Sequence, residues 1–308
     1  MRVLVTGASG FVGSELMRQL GALQGIQPVA GMRNPAANSA DNFPTIACPE
    51  LGPSADWSAS FAGMDAVVHC AARAHVIGDR AADPLAEFTR ANTEGTLRLA
   101  GQAASAGVRR FVFVSSIGVN GAETFGAAFT EADPAAPHSP YAVSKHLAEE
   151  GLKALSARTG MEVAIVRPTL VYGKGAPGNL RRMANLVQRG LPLPFASVHN
   201  RRTLISVTNL ASLLALCLTH QKAAGETFLA GDASDVSTAD IISQIARSIG
   251  RPARLLPFPP AFLAAGLRLA GQGAMAQQLF GSLQVDGSKA RRLLDWTPPE
   301  SPDTAFWA

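Results

Sequence analysis

Tyr141 and Lys145, in the run Ser139-Pro140-Tyr141-Ala142-Val143-Ser144-Lys145, are the residues of this chain whose types and spacing speak most directly of chemistry. Pro140 marks a helix start, so two side chains four residues apart lie on one face, one turn from each other. A phenol is a poor proton donor or acceptor near neutral pH unless its anion is stabilised, and an ammonium one turn away supplies the opposite charge. Upstream, the apolar run Phe111 to Val114 ends in Ser115-Ser116. A serine at a strand end can give a second hydrogen bond to the same substrate oxygen, or it can simply close a turn. Tyrosine–lysine pairs at this spacing also occur on solvated helix faces, so the trio needs a context.

That context stands at the other end of the chain, in MRVLVTGASGFVGS. A β-branched strand runs into Gly7-Ala8-Ser9-Gly10-Phe11-Val12-Gly13 and then a helix, and this order forms a site for the pyrophosphate of a dinucleotide. Gly7 allows the tight turn, Gly10 lets backbone N–H groups approach phosphates, and Gly13 lets the helix pack closely on its strand. The spacing is GxxGxxG. A glycine-rich turn can also be empty of ligand; the ordered appearance of serine, tyrosine and lysine after it favours the catalytic reading.

The end of the second strand bears on the choice of dinucleotide. A fold that selects NAD usually places Asp or Glu about 20 residues beyond the glycines to hold the ribose 2′-hydroxyl, whereas an Arg there can accept a 2′-phosphate. This chain has Gly31-Met32-Arg33-Asn34. The absence of a carboxylate favours NADP(H) over NAD(H), although Arg33 can also stack on adenine or face solvent. After the third strand, Glu50 can accept from the adenine amino group or sit in an exposed loop, with Leu51 beside it. The small residues of Cys70-Ala71-Ala72-Arg73 at the end of the fourth strand let a flat cofactor lie against the backbone. Asn92 and Thr96, at i and i+4, can both face the sheet, or cap locally.

The elements that must position these residues follow from periodicity. Strand patterns at Val3–Val5, Gln27–Ala30, Thr45–Ala47, Ala66–His69, Phe111–Val114 and Val163–Val166 alternate with helix patterns at Ser14–Leu23, Leu85–Ala106 and Tyr141–Thr159. Such alternation requires a parallel sheet covered on both faces. The expected fold is α/β: a Rossmann-type doubly wound sheet over 1–167 plus roughly 200–220, with a smaller α/β substrate subdomain from 168–199 and 221–308. Proline-rich joints from Pro168 to Pro260 mark that second unit. Within it, the apolar run Ala261 to Phe280 has the spacing of a core-covering helix, with Arg268 its only cation, rather than of a membrane contact.

Composition removes several function classes. The chain has 308 residues, 47% hydrophobic, enough for a substantial core. A net charge of +4 comes without any Lys/Arg run interleaved with aromatics, so no nucleic-acid partner is expected. Cys48, Cys70 and Cys217 lack metal or disulfide spacing. A strand beginning at Met1 leaves no secretory signal, and no apolar stretch reaches about 18 residues, so a cytoplasmic location is expected.

With these residues in view, the chain resembles the extended short-chain dehydrogenase/reductase family of nucleotide-sugar epimerases, dehydratases and ketoreductases. The marks are Gly7, Gly10 and Gly13, the small Ala71 and Ala72, Ser116 ahead of Val119, the Tyr141–Lys145 pair, and Arg167-Pro168-Thr169-Leu170-Val171-Tyr172-Gly173. The resemblance implies that Ser116 and Tyr141 are catalytic, that Lys145 binds the ribose and assists Tyr141, and that Pro168 to Leu170 meet the nicotinamide carboxamide. It further implies that Asn179 of Gly178-Asn179-Leu180 meets a substrate diphosphate and that Arg202 pairs with the sugar nucleotide's phosphates, where a guanidinium fork is suited. The expected cofactor shell is Gly7, Ser9, Gly10, Phe11, Val12, Gly13, Arg33, Glu50, Leu51, Cys70, Ala71, Ala72, Asn92, Val114, Tyr141, Lys145, Pro168 and Leu170. Arg73, Ser116, Asn179 and Arg202 are expected to meet the substrate. A homodimer through the helices carrying Leu97 and Tyr141 is implied in the same way.

Departures narrow the activity. Asn120 stands where many members carry Tyr, and no Arg-Pro-x-Asp segment precedes Asp286-Gly287-Ser288-Lys289. Dehydratases of the family follow the active-site hydroxyl with Asp-Glu; here Ile117-Gly118 follow Ser116, which argues against a 4,6-dehydratase. The stretches Cys70 to Val76, Asn200 to Leu204 and Gly281 to Asp286 look like a bacterial surface-polysaccharide branch. The expectation is an NADP-dependent 4-ketoreductase of a UDP-4-keto-6-deoxy-N-acetylhexosamine. The alternatives are a UDP-hexose or UDP-N-acetylhexosamine 4-epimerase with tightly bound NAD, and a non-catalytic NADP-binding sensor, which has no need of the tyrosine–lysine–serine geometry.

Overall fold

The computed structural model describes residues 1–34, 43–74 and 82–301, so His75 and Val76 of the polysaccharide-type stretch lie outside the described residues. Its centre is a seven-stranded parallel sheet ordered β3-β2-β1-β4-β5-β6-β9. The strands are β1 (Arg2–Thr6), β2 (Gln27–Met32), β3 (Thr45–Ala47), β4 (Ala66–His69), β5 (Arg110–Val114), β6 (Glu162–Pro168) and β9 (Thr227–Ala230). Their near-continuous apolar runs follow from burial on both faces: Val3, Leu4, Val67, Phe111 and Val112 are all fully buried. Chain order runs outward from β1 through β2 to β3, then reverses through β4 and β5. The carboxyl ends of β1 and β4 therefore flank a topological switch point, where open α/β sheets bind ligands.

Helices α1 (Phe11–Ala22), α6 (Val207–Thr219) and α10 (Ser288–Leu294) pack one face of the sheet. Helices α3 (Gly95–Ser105) and α4 (Pro140–Thr159) pack the other. Helix α4 begins on a Ser139 cap with Pro140 in its first turn and ends at Gly160 in the left-handed region (φ 74°), which fixes both boundaries.

The continuous helix expected over Leu85–Ala106 is divided. A short α2 (Pro84–Phe88) passes into a π-helical turn at Thr89–Glu94 before α3 begins. The widened turn directs two polar side chains inward. Asn92 receives the backbone N–H of Arg73 (2.8 Å) and donates to its carbonyl (3.1 Å) and to Ser144 Oγ (3.1 Å), while Thr93 Oγ1 donates to the Ser144 carbonyl (2.8 Å). Periodicity of apolar residues carries no signal for such a turn.

The smaller unit has its own sheet, β10-β8-β7, from β7 (Leu170–Tyr172), β8 (Arg202–Ser206) and β10 (Asp235–Val236). Helices α5 (Asn179–Gln188), α7 (Thr238–Ser248), α8 (Pro260–Leu269) and α9 (Gly273–Phe280) complete it. Buried Asp232 holds the joint: it accepts from Tyr172 Oη (2.8 Å), Asn209 Nδ2 (2.8 Å) and the Ser206 N–H (3.1 Å). Two expectations are corrected. Thr227–Ala230, assigned from sequence to the smaller unit, pairs with β6 from Ile165 to Pro168 and closes the large sheet, and α10 packs into the same core. The helix at Ala261 is not core-covering: α8 buries only Ala264, and Phe262 and Leu269 are 71% and 91% exposed.

His69 ends β4 completely buried, between Thr6 Oγ1 (Nδ1 at 2.7 Å) and Thr96 Oγ1 (Nε2 at 3.0 Å), with its ring stacked on Phe113. Burial, with Lys145 adding to it, pushes its pKa down to about 3. In the unfolded chain it titrates near 6.5, so from about pH 6.5 down to 3 the unfolded state alone takes up the proton and stability is lost by up to about 1.4 kcal/mol per pH unit. Urea unfolding of the wild type is expected to lose roughly 2 kcal/mol more between pH 6.5 and pH 5 than that of His69→Gln, whose amide can still bond both threonines.

Candidate active site

The glycine turn lies at the carboxyl end of β1 and is built by close approach. Gly7 adopts φ 69°, and a Cβ there would sit 2.8 Å from the Ala71 backbone nitrogen; a Cβ at Gly13 would collide with the Gly7 carbonyl. Helix α1 starts at Phe11 with no side-chain cap on its N-terminus, leaving the N–H groups of its first turn directed at the switch point. A cradle that side chains would fill, closed by an uncapped helix and by the small residues Ala71 and Ala72, fits a dinucleotide pyrophosphate. Ser9, Phe11 and Val12 belong to this turn, while Leu51 and the half-buried Cys70 follow β3 and β4. Arg33 and Glu50 stand at the ends of β2 and β3 with Nη1 and Oε1 4.0 Å apart, 78% and 82% exposed.

Strand β5 and helix α4 bring the trio to the same edge. Lys145 is buried, only 2% exposed; its Nζ donates to the Val114 carbonyl (2.8 Å) and lies 4.5 Å from the Phe113 ring centre. Burial pushes its pKa down to about 8, opposed by Cys70 and Glu149, and pushes the Tyr141 phenol up to about 12. Nζ is 5.9 Å from the Tyr141 ring centre, which sets the i, i+4 pair on one face as its spacing requires. Ser116 Oγ accepts the Gly118 N–H (3.1 Å) as the cap of a short turn at Ile117–Val119, so its own proton remains available for donation. Pro168 and Leu170 lie where β6 passes into β7, held there by two bonds from Thr169 to the Ala230 carbonyl.

The residues read as substrate contacts divide between the two units, Arg73 and Ser116 following strands of the large sheet and Asn179 and Arg202 belonging to the smaller unit. Arg73 follows β4 with its guanidinium 5.4 Å from the Phe88 ring centre, and Phe88 meets the Tyr141 ring edge-on at 6.0 Å. Where β8 begins, the adjacent Arg201 and Arg202 diverge. Arg201 is exposed, 3.6 Å from Asp235, whereas Arg202 turns inward and donates to the Gly281 carbonyl (3.0 Å), its pKa lowered by burial and supported by Glu123. Asn179 begins α5 and its amide donates to Gln278 of α9 (2.5 Å). Asn92, expected in the cofactor shell, has its amide engaged by Arg73 and Ser144.

Comparison with known proteins gives this arrangement its place. Residues 3–231 match the model of the NAD dependent epimerase/dehydratase family. The chain belongs to that family. It is 40% identical to a UDP-glucose 4-epimerase of Vibrio cholerae over 306 residues, covering 99% of this chain and 93% of that one. It is 31% identical to a dTDP-glucose 4,6-dehydratase of Streptomyces niveus over 81% of this chain and 78% of that one. A crystal structure of UDP-glucuronic acid 4-epimerase from Bacillus cereus, in complex with NAD, shares the fold with a TM-score of 0.79 at 22% identity, covering 99% and 94% of the two chains. Its family and fold make the chain an NAD(P)-dependent enzyme of the short-chain dehydrogenase/reductase type.

Sequence reasoning missed the buried polar network behind the family's tyrosine and lysine. Glu149, fully buried one turn beyond Lys145, accepts from Arg167 Nη2 (2.5 Å) and Nε (2.9 Å) and from Ser115 Oγ (2.5 Å). The remaining guanidinium arm donates to Asn120 Oδ1 (2.8 Å), and Asn120 donates in turn to the Thr130 carbonyl (3.1 Å). Helix α4, the end of β5 and the end of β6 are thus bound at one point, and Asn120 has a role there. The available signal was the i, i+4, i+8 series Tyr141, Lys145, Glu149 together with an Arg ending a buried strand. Arg167→Met should cost about 3–5 kcal/mol in urea unfolding, because it strands a buried carboxylate, and adding Glu149→Gln should recover a large part of that loss.

Proposed function

We propose that the chain is a 4-ketoreductase of a UDP-4-keto-6-deoxy-N-acetylhexosamine serving bacterial surface-polysaccharide synthesis, with NADP(H) as its cofactor. The glycine turn and α1 would hold the pyrophosphate, Lys145 the ribose, and Pro168 to Leu170 the carboxamide. A bound nicotinamide supplies the hydride. The chain's own residues handle the proton: Ser116 holds the substrate C4 oxygen, Tyr141 donates to it, and Lys145 steadies the phenolate that remains, a contribution of typically ~10²–10⁴ in rate. Ile117-Gly118 place no acid–base pair beside Ser116, which supports reduction over loss of the C6 hydroxyl.

The observation that carries the choice is Arg33 at the end of β2, where a 2′-phosphate would fall. Its partner Glu50 does not stand in the way: an exposed pair 4.0 Å apart is worth about 0–1 kcal/mol and yields to a phosphate. A reductase must exchange its cofactor each turnover, and recognition by an exposed guanidinium suits that. A second reading, a UDP-hexose or UDP-N-acetylhexosamine 4-epimerase with tightly held NAD, draws support from the 40% identical Vibrio cholerae protein. The two readings part on the purified protein. A reductase is expected to carry little dinucleotide and to consume NADPH with the 4-keto sugar, and Arg33→Ala should weaken NADPH about ten- to a hundredfold while sparing NADH. Stoichiometric NAD surviving gel filtration, with sugar interconversion needing no added cofactor, would establish the epimerase instead.

The divergence of Arg201 and Arg202 at the start of β8 supports Arg202 as the anchor of the substrate diphosphate. Arg202→Ala is expected to raise the Michaelis constant for the UDP-sugar roughly tenfold or more, and Arg201→Ala to change it far less. A larger effect from Arg201 in steady-state kinetics or UDP binding would place the diphosphate elsewhere.

A further inference from the structure

Helix α8 is apolar on nearly every side, in the sequence PAFLAAGLRL, yet only Ala264 of its ten residues is buried. A helix of that composition ordinarily lies inside a protein or a membrane. The exposure is not confined to it. Of the ten large apolar side chains exposed among the described residues, four are Leu256, Phe258, Phe262 and Leu269, and a fifth, Leu191, belongs to the same surface. Leu193 and Leu255 pair as a bridge, and the N–H of Leu193 bonds the Arg254 carbonyl, so residues 189–193 run beside 254–256.

The charge around these residues has one sign. From 241 to 285 the chain contains Arg247, Arg251, Arg254 and Arg268 and no Asp or Glu; from 163 to 225 it again contains no Asp or Glu. Arg189, Arg247, Arg251, Arg254 and Arg268 are all exposed, and none forms an ion pair among the described residues. Guanidinium groups with no carboxylate partner, on segments that also carry exposed Phe and Leu, match the chemistry of an anionic lipid surface, with apolar side chains entering the acyl boundary and cations meeting headgroups. No helix among the described residues is long and apolar enough to cross a membrane, so the contact is peripheral.

We propose that the smaller unit docks the enzyme on an anionic membrane surface, with Phe262 and Leu269 of α8 as the inserting side chains and Arg251 and Arg268 among the cations that hold it there. The proposal is independent of the reaction assigned above. The full chain is to be sedimented with sucrose-loaded vesicles of phosphatidylcholine alone or with about a third phosphatidylglycerol. Binding is expected to the anionic vesicles, falling as salt rises, and to be weak on the neutral ones. F262E/L269E should partition roughly tenfold or more weakly, with thermal unfolding and cofactor affinity unchanged. R251Q/R268Q should weaken binding by about fivefold per guanidinium and flatten the salt dependence. Failure of the wild type to sediment with anionic vesicles, or equal binding by either variant, overturns the proposal. So does sedimentation equilibrium showing a dimer that F262E/L269E dissolves while vesicles go unbound, which would make the face a contact between two copies of this chain.

Discussion

An ammonium buried at the edge of a sheet must be kept charged by what surrounds it, and the arrangement about Lys145 is the constraint on which the rest of the site depends. The Val114 carbonyl accepts from it, the Phe113 ring lies beneath it, and Glu149 stands one turn further along α4. Neighbours that could compete are held neutral: burial pushes His69 down to about 3 and the Cys70 thiol up to about 12. Glu149 is itself compensated by Arg167, which Asn120 completes. Such a network gives little net stability, since desolvation offsets the attraction, but it allows α4 only one position against β5 and β6. That position sets the tyrosine and the serine over the cleft.

The glycine turn and the buried network act from opposite sides of the switch point. Gly7 and Gly13 clear space by leaving out side chains, so that the turn at the switch point is lined by backbone. Ser116 Oγ accepts from the Gly118 N–H, which leaves the hydroxyl free to donate. In the smaller unit Arg202, the first residue of β8, turns inward to the Gly281 carbonyl, while Arg201 just before it stays exposed beside Asp235. Under the proposed reaction these groups would give phosphate-directed donors on both sides of a site whose centre handles one proton.

Much of this was legible in the sequence because it rests on local rules. Glycine spacing, the β-branched strands and the helix start at Pro140 each encode their geometry within a few residues, and they placed Gly7, Tyr141 and Lys145 correctly in their elements. What escaped is tertiary. Glu149 and Asn120 belong to one network only because β6 lies beside β5, and Asn120 looked like a departure until Arg167 was beside it. The π-helical turn exists because Asn92 and Thr93 bond Arg73 and Ser144 across the fold. Strand β9 was assigned to the wrong unit since its pairing partner lies some sixty residues upstream. Helix α8 misled for the opposite reason: apolar spacing predicts burial, and nothing local reports that only Ala264 of the helix is covered.

The central claim is that this edge performs one hydride addition at C4, paired with proton donation from Tyr141. It is tested most directly by supplying cofactor deuterated at nicotinamide C4 together with a UDP-4-keto-6-deoxy-N-acetylhexosamine and reading the product by mass spectrometry and proton NMR. One deuterium at C4 for each cofactor oxidised, in a single C4 configuration, is the predicted result. Product carrying no deuterium, or sugar interconverted at C4 with no net oxidation of the cofactor, would contradict it.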